Sequence, residues 1–321
     1  MLASAMLLEQ ILERRLVVLS GKGGVGKSVV GAALALAARD RGRKVLLAEV
    51  DAPLEAARRF GAAASEGREV EVRPGLFAVN LRPREVMDEY VRHVVKLDFV
   101  VRRIVESPVY HRFFTAAPGL KELMVLGKLV TLSEARDGFG RKPRYDLVIV
   151  DAPATGHGLS FLKVPIAAAA AIPGPIGANA RWILARLRDR AHTATLIVSI
   201  PEEMAAVEAI EFHRVATEEI GLAPLALLLN ACHERRFTPA QEADLLRLSL
   251  ADPAGQLAPG VSLKGALRAA RHHVRRRKLS AFYQRRLQRA LPLPVIPLPY
   301  LFEERLDPDA LRRLAARLAA A

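Results

Sequence analysis

A glycine-rich stretch near the N-terminus, residues 20–29, constrains the fold of this chain more than any other feature. It contains the spacing Gly-x-x-x-x-Gly-Lys-Ser, which is that of a phosphate-binding loop. The apolar run Leu16 to Leu19 before it predicts a buried strand, and the Ala- and Leu-rich run Val29 to Arg39 after it predicts a helix. The motif therefore has the strand, loop and helix context that phosphate binding requires.

Each residue type in this loop has a chemical reason. Backbone amides can surround a phosphate closely only where no Cβ intervenes, and the following helix N-terminus attracts negative charge. We expect the Lys27 ammonium to bind β- and γ-phosphates and the Ser28 hydroxyl to ligate Mg²⁺. The loop residues predicted to contact the nucleotide are Gly21, Gly23, Gly24, Val25, Gly26, Lys27, Ser28 and Val29.

Composition indicates a globular chain that is long enough for one large or two ordinary domains. Of its 321 residues, 51% are hydrophobic and 26% are charged. The single cysteine, Cys232, excludes an internal disulfide framework and a thiolate metal cluster within one chain, which agrees with a cytoplasmic location. Residues 1–15 lack a basic n-region and a cleavage site, so we predict a short surface helix there and no signal peptide.

The net charge of +14 would suit nucleic acid, anionic lipid or an acidic partner. The excess is mostly arginine in a chain rich in Ala, Gly and Pro, a bias typical of GC-rich genomes. Because the basic residues are neither interleaved with aromatics nor part of a reader motif, we do not expect nucleic-acid binding. The segment Lys264 to Arg289 has ten basic residues and no acid. It leaves two interpretations open, a solvated basic helix or an anionic docking site.

Two predicted strands lead directly into carboxylates. Asp51 follows the strand predicted from Lys44 to Val50, and Asp151 ends the apolar run that begins at Arg144. The carboxyl ends of parallel strands form the ligand crevice of open α/β sheets. Asp51 is therefore a candidate for orienting an attacking water, the alternative being an N-cap for a segment beginning at Pro53. Asp151 fits the acid that holds Mg²⁺ through water.

Alternating strand and helix patterns predict an α/β fold with a doubly wound, mainly parallel sheet. Gly75 to Leu81 is predicted as an edge strand, because prolines flank it. Residues 84–140 and about 160–190 show helical periodicity, and we predict that they form a helical subdomain inserted into a single domain of residues 1–321. Its apolar face fits either paired helices or a groove for a client. Further strands are predicted at Thr195 to Ile200, Leu225 to Asn230 and Leu293 to Leu298.

Taken together, the loop Gly21 to Ser28 and the segment Asp151-Ala152-Pro153-Ala154-Thr155-Gly156-His157 resemble the ArsA-like branch of the deviant P-loop ATPases. This branch includes the arsenite-pump and tail-anchored-protein-targeting ATPases. The resemblance runs nearly end to end and implies Mg²⁺-dependent hydrolysis of ATP to ADP and phosphate by a nucleotide-switched homodimer. The switch residues that it implies are Pro153, Thr155, Gly156 and His157, with His157 open as a phosphate sensor or a structural hydrogen bonder.

The resemblance also implies roles for individual side chains. Lys22 matches the signature lysine that reaches the ATP of the other subunit, and Asp51 matches the water-activating aspartate. With Lys27 these are the predicted catalytic residues. Asp151 matches the acid on the Mg²⁺ side, and Asn230 matches the asparagine that contacts adenine, although a turn-forming role for Asn230 stays open.

Some features depart from the family pattern. Val29 stands where a second hydroxyl residue is common, and Asp51 is followed by Ala52-Pro53. One cysteine cannot form the three-thiolate metalloid site of arsenite pumps, although Cys232 from two subunits could still meet. The predicted insert has only Met87 and Met124, which is few for a pliable hydrophobic groove.

Two other functions therefore stay open at this stage. One is a partition or positioning type of ATPase that binds membrane or DNA in its ATP state through residues 264–289. The other is a scaffold that binds ATP without hydrolysing it. We expect an unidentified client or membrane-protein partner, and a peripheral membrane contact also stays open.

Overall fold

The described residues build an eight-stranded sheet with helices on both of its faces. The computed structural model describes residues 2–51, 58–62, 67–95, 97–117, 119–138, 140–153, 155–248, 256–258, 260–303 and 306–320. The strands in chain order are β1 Leu16–Ser20, β2 Val45–Val50, β3 Val70–Arg73, β4 Leu76–Leu81, β5 Leu147–Asp151, β6 Thr193–Ser199, β7 Pro224–Cys232, β8 Gln256–Ala258, β9 Val261–Ser262 and β10 Val295–Pro299.

Helices connect most of these strands. In chain order they are α1 Leu2–Leu12, α2 Lys27–Asp40, α3 Pro83–Val95, α4 Asp98–Val105, α5 Pro108–Ala116, α6 Leu120–Glu134, α7 Thr155–Ala171, α8 Gly174–Arg188, α9 Glu203–Val215, α10 Pro239–Arg247, α11 Leu263–Ala290 and α12 Pro308–Ala320. A π-helical turn, Ala216–Ile220, extends α9. None of the described helices is both long and apolar enough to cross a bilayer.

The strand order across the sheet is β10, β7, β6, β1, β5, β2, β4, β3. Only β3 runs antiparallel to its neighbour among these strands, while β8 and β9 form a separate antiparallel pair. Parallel strands end at the same edge, so the segments that follow β1, β2, β5, β6 and β7 all emerge there. The structure thus confirms the predicted doubly wound, mainly parallel sheet.

Strand β1 is buried on both faces of the sheet. Leu16 and Val18 belong to an apolar cluster shared with α6, α8 and α9, whereas Val17 and Leu19 belong to a second cluster shared with α2 and α12. A strand covered on both sides carries mainly apolar side chains on both of its faces, because neither face meets water. This is why an unbroken apolar run identified it in the sequence.

The inserted helices all lie on one face of the sheet. Helices α3 to α6 follow β4, helices α7 and α8 follow β5, and all six contribute to the same apolar cluster. Within this layer α3 packs on α6, and α7 packs on α8. The boundaries of the predicted helical subdomain, 84–140 and about 160–190, stay a prediction.

The edge position predicted for Gly75 to Leu81 is wrong. Strand β4 pairs with β2 on one side and with β3 on the other, so β3 is the strand at the edge. The two strands form a hairpin through Pro74 and Gly75, and Gly75 has a φ of 78°. Strand β3 was missed because its four residues, Val-Glu-Val-Arg, are too few for a clear alternating pattern.

The N-terminal helix is present, but its description as a surface helix is wrong for one of its faces. Leu7, Leu8, Ile11 and Leu12 of α1 are buried, and the helix packs on α12. The two helices are far apart in sequence, because α12 is the last described helix of the chain. The residues around α1 therefore could not predict that α12 covers one of its faces.

We predict that replacing Leu311 in α12 by Ala lowers the free energy of unfolding by about 2–5 kcal/mol, because the side chain is fully buried against α2 and a cavity would remain. Denaturant unfolding followed by circular dichroism measures this change. The control is Arg312→Ala, which removes an exposed side chain that pairs with Asp309 and should cost under about 1 kcal/mol. Equal effects of the two substitutions would contradict the packing.

Candidate functional site

The residues predicted to bind the nucleotide converge on the carboxyl edge of the sheet. The loop 21–26 leaves β1, Asp151 ends β5 beside it, and Asp51 follows β2, which is one strand further. On the opposite side, beyond β6, Asn230 lies in β7. Asp151 is paired in register with Glu49 of β2, and Glu49 is buried. The parallel sheet thus gathers side chains that are far apart in sequence.

Two glycines of the loop are required by close contacts. A Cβ at Gly21 would lie 2.1 Å from the backbone oxygen of Val198 in β6, so no larger residue fits without moving the strand. Gly26 caps α2 with a φ of 88°, and a Cβ there would lie 2.4 Å from Nδ2 of Asn230. The loop is therefore held against both β6 and β7 by its own backbone.

The predicted phosphate-binding lysine, Lys27, is folded back over the loop. Its Nζ donates hydrogen bonds to the backbone oxygens of Gly21 at 2.9 Å and Lys22 at 3.1 Å, and the residue is buried. Burial lowers the pKa of Lys27, and the carboxylate of Asp151 opposes this shift by raising it. A buried ammonium that is bonded to neutral carbonyl groups would be strongly stabilised by an anion bound in the loop.

Ser28 and Asp151 form the candidate metal-binding pair. The Ser28 hydroxyl donates to Oδ2 of Asp151 at 2.5 Å, at the N-terminus of α2. A hydroxyl and a carboxylate are the hard oxygen donors that Mg²⁺ prefers, and a site with few protein ligands leaves room for waters and phosphate oxygens. The two residues present therefore fit the predicted metal, with Asp151 acting directly or through water.

Lys22 is held by its own chain. Its Nζ donates to Oε1 of Glu208 in α9 at 2.8 Å, and about a third of each side chain is exposed, 35% and 33% respectively. An ion pair this accessible to water typically contributes under about 1 kcal/mol to stability. Lys22 can therefore exchange Glu208 for another anion at low cost. Lys27 of the same loop differs, because it is buried.

Asp51 has an unusual backbone at the end of β2. It is exposed, its φ is 48°, and its backbone N–H donates to the oxygen of Leu81 at 3.1 Å. Left-handed backbone is uncommon outside glycine, and such strain is concentrated at functional sites. The alternative role as an N-cap involves Pro53, which lies outside the described residues.

Asn230 joins the loop to a cavity beside it. Its Nδ2 donates to the backbone oxygen of Val25 at 2.9 Å, and the adjoining cavity of about 600 Å³ is lined by Gly24, Gly26 and Asn230 among others. Residue Ala231, next in β7, has a φ of 56°, so the strand is distorted at this point. Asn230 thus contacts the loop itself, and a further contact to adenine stays a prediction.

Sequence reasoning missed an aromatic group on the far wall of this cavity. His233 stacks on Tyr300 with ring centroids 4.8 Å apart, and Phe302 packs edge-on against both rings. Burial, with the nearby charges of His273 and Arg276, lowers the pKa of His233 to about 4, so the ring is neutral at neutral pH. Neutral aromatic rings suit a planar base. His233 follows β7, whereas Tyr300 and Phe302 follow β10, so no local spacing links the histidine to the other two rings.

The predicted switch segment is mostly helical. Pro153 lies in the short connection after β5, and α7 begins at Thr155, so Gly156 and His157 lie in its first turn and not in a loop. Ala154 lies outside the described residues. The roles of all four switch residues stay predictions.

The chain is similar in sequence to known ATPases. Residues 14–173 match the family profile of the anion-transporting ATPases. ATPase BagA of Mycobacterium tuberculosis is 30% identical over 325 residues, which covers 95% of this chain and 92% of BagA. The arsenical pump-driving ATPase of Escherichia coli is 24% identical over 225 residues, 68% of this chain and 35% of that protein. ATPase GET3B of Arabidopsis thaliana is 26% identical over 173 residues, 48% of this chain and 40% of GET3B.

We predict that Gly21→Ala lowers the free energy of unfolding by roughly 2–3 kcal/mol or more, because its Cβ meets the backbone of β6. Gly42→Ala is the matched control: Gly42 has a φ of 78°, but no heavy atom lies within 4 Å of the position that its Cβ would take. The control should therefore cost only the strain of left-handed backbone, about 1 kcal/mol. Thermal or denaturant unfolding separates the two, and a smaller loss for Gly21→Ala than for the control would refute the close contact.

Proposed function

The chain belongs to the anion-transporting, or ArsA-like, family of P-loop ATPases, and from this membership we propose that it hydrolyses ATP to ADP and phosphate as a nucleotide-switched homodimer that depends on Mg²⁺. One observation carries the proposal. The buried Lys27 ammonium, held over the loop by the carbonyls of Gly21 and Lys22, lies beside the hydrogen-bonded pair of Ser28 and Asp151. A cation, a hydroxyl and a carboxylate at one helix N-terminus are the groups that phosphoryl transfer needs.

The proposed chemistry follows from these positions. Asp51 orients a water for in-line attack on the γ-phosphorus, the bond to the bridging oxygen of ADP breaks, and the water oxygen remains in the phosphate released. Lys27 and the loop amides from Gly23 to Val29 stabilise the charge on the phosphoryl oxygens. Mg²⁺ bound at Ser28 and Asp151 would neutralise further phosphate charge. The cavity lined by Asn230 would receive the adenine.

We further propose that Lys22 makes hydrolysis conditional on dimer formation. In one chain its ammonium is paired with Glu208, and the weakness of an exposed pair supports an exchange in which Lys22 binds the ATP of the partner subunit. A second cation would then reach the phosphates only when two subunits meet. The helical layer α3 to α8 would move with this change, as an inserted subdomain.

The single cysteine does not support a metalloid substrate. Burial raises the pKa of Cys232 to about 12, so its thiol stays protonated, and the Sγ donates to the backbone oxygen of Leu229. A thiolate is the form that binds soft metals and metalloids. We therefore propose a client other than arsenite, in a reducing compartment such as the cytoplasm.

Lysine substitutions test this proposal. Lys27→Ala should reduce kcat/KM for ATP by at least ~100-fold, because both the cation and the support of the loop are lost. Lys22→Ala should leave the dissociation constant for ATP within about threefold but reduce kcat on the order of 1000-fold. The reason is that a cation supplied by the partner subunit stabilises the transition state more than it stabilises bound ATP. Phosphate release and fluorescent-nucleotide titration measure the two quantities.

The matched control is Lys163→Ala. Lys163 forms a comparable exposed ion pair with Glu219 at 2.6 Å, away from the loop. It should retain full activity, which shows that loss of an exposed lysine pair alone is harmless. Full activity of Lys22→Ala would contradict the dimer-coupled mechanism, and unchanged activity of Lys27→Ala would contradict hydrolysis at this loop.

The assembly can be tested with Asp51→Asn, which should bind ATP and Mg²⁺ but hydrolyse it slowly. We expect light scattering after gel filtration to give twice the mass of the 35.0 kDa chain with ATP and Mg²⁺. Adding Lys22→Ala to this variant should weaken the dimer, because the two contacts between Lys22 and the partner's ATP, one from each subunit, are lost. A purely monomeric Asp51→Asn protein at saturating ATP would exclude a nucleotide-switched homodimer.

A further inference from the structure

Helix α11 carries a surface that the proposed ATPase site does not use. We call it the basic-apolar surface and define it by Arg275, Lys278, Leu279, Phe282 and Arg285. All five side chains are exposed, with Leu279 at 43% and Phe282 at 52%. Spacings of three and four residues place them on one side of the helix. Two apolar side chains thus lie between three cations. All five residues line an open cavity of about 770 Å³.

These cations differ from their neighbours on the same helix. Arg276 pairs with Glu202 at 3.4 Å, and Arg277 pairs with the buried Glu242 at 2.7 Å, so both have structural partners. Arg275, Lys278 and Arg285 make no ion pair with any carboxylate in the part of the chain that the structure describes. Helix α11 itself has no acidic residue, although it contains ten of the chain's 48 basic residues between 264 and 289.

The apolar side chains narrow the choice of partner. An exposed Leu and Phe at positions i and i+3, flanked by Arg and Lys, match the pattern of helices that lie in a membrane interface, where the apolar groups enter the acyl boundary and the cations meet lipid phosphates. Single-stranded nucleic acid instead needs several stacking rings along its path. Here Phe282 is the exposed ring of the surface, and Tyr283 packs against it edge-on at 5.1 Å.

We propose that the basic-apolar surface docks the protein on the surface of a bilayer that contains anionic lipids. The cations bind lipid phosphate groups, and Leu279 and Phe282 enter the interface between headgroups and acyl chains. This is peripheral attachment through one face of a helix whose other face is packed on the protein, since Val274 and Leu287 are buried. The inference does not rest on ATP hydrolysis.

Cosedimentation of the full chain with vesicles tests the proposal. Vesicles of phosphatidylcholine are compared with vesicles that also contain phosphatidylglycerol, at about 0.1 M and about 0.5 M salt, where screening differs strongly. We expect binding to the anionic vesicles only, weakened by salt. The variant Arg275→Gln/Lys278→Gln/Arg285→Gln should bind roughly 100-fold more weakly, from about fivefold for each cation.

A second variant separates a bilayer from any other anion. Leu279→Ser/Phe282→Ser keeps every charge, and we expect it to bind anionic vesicles roughly tenfold more weakly. The matched charge control is Arg92→Gln/Arg102→Gln/Arg103→Gln, which removes three exposed cations from α3 and α4. This control should bind like the wild type. Circular dichroism and thermal unfolding establish that each variant is folded.

Three results would overturn the proposal. The first is no binding of the wild type to phosphatidylglycerol vesicles. The second is an equal loss in the α3–α4 control, which would indicate a response to net charge and not to this surface. The third is full binding by the Leu279/Phe282 variant together with tighter, salt-dependent binding of a labelled single-stranded oligonucleotide, which would assign the surface to nucleic acid.

Discussion

The pairing of β1 between β5 and β6 is the interaction on which the rest of this site depends. It fixes the point at which the chain leaves the sheet, and the loop that follows is pressed so closely on the oxygen of Val198 that only glycine fits at position 21. The same pairing places Asp151 beside the loop, within reach of Ser28. A shift of β1 by one residue would exchange its two buried faces and separate these groups, which is why register is so strongly determined.

The loop contains two lysines in opposite environments. Lys27 is buried and bonded to carbonyl oxygens, and its charge is compensated by these dipoles and by Asp151. Lys22 lies five residues earlier, is partly exposed, and is paired with Glu208 of α9. The first is positioned by the fold and would be stabilised by a phosphate bound in its own loop. The second is held by an ion pair that is easily replaced, which suits a role that depends on a second subunit.

Helix α11 shows how one element can serve two surfaces. His272 and Arg276 line the cavity beside the loop, while Arg275, Lys278, Leu279, Phe282 and Arg285 face away from it. Ten of the chain's 48 basic residues lie between 264 and 289, and this helix has no acidic residue. The net charge of the whole sequence does not separate this surface from the rest of a basic protein. The structure does, because Arg276 and Arg277 of the same helix pair with carboxylates. The cations of the basic-apolar surface make no such ion pair among the described residues.

Sequence alone was enough for the features that depend on neighbouring residues. The loop, its flanking strand and helix, and the parallel sheet follow from glycine spacing and from apolar runs, because strands buried on both faces are mainly apolar. The short strand β3, the core face of α1 and the aromatic group of His233, Tyr300 and Phe302 did not follow, since each depends on contacts between distant segments. The pairing of Lys22 with Glu208, 186 residues away, is of the same kind. Local patterns determined which phosphate-binding machinery the chain carries, and only tertiary packing decided which side chains surround it, because spacing along the chain contains no information about partners across the fold.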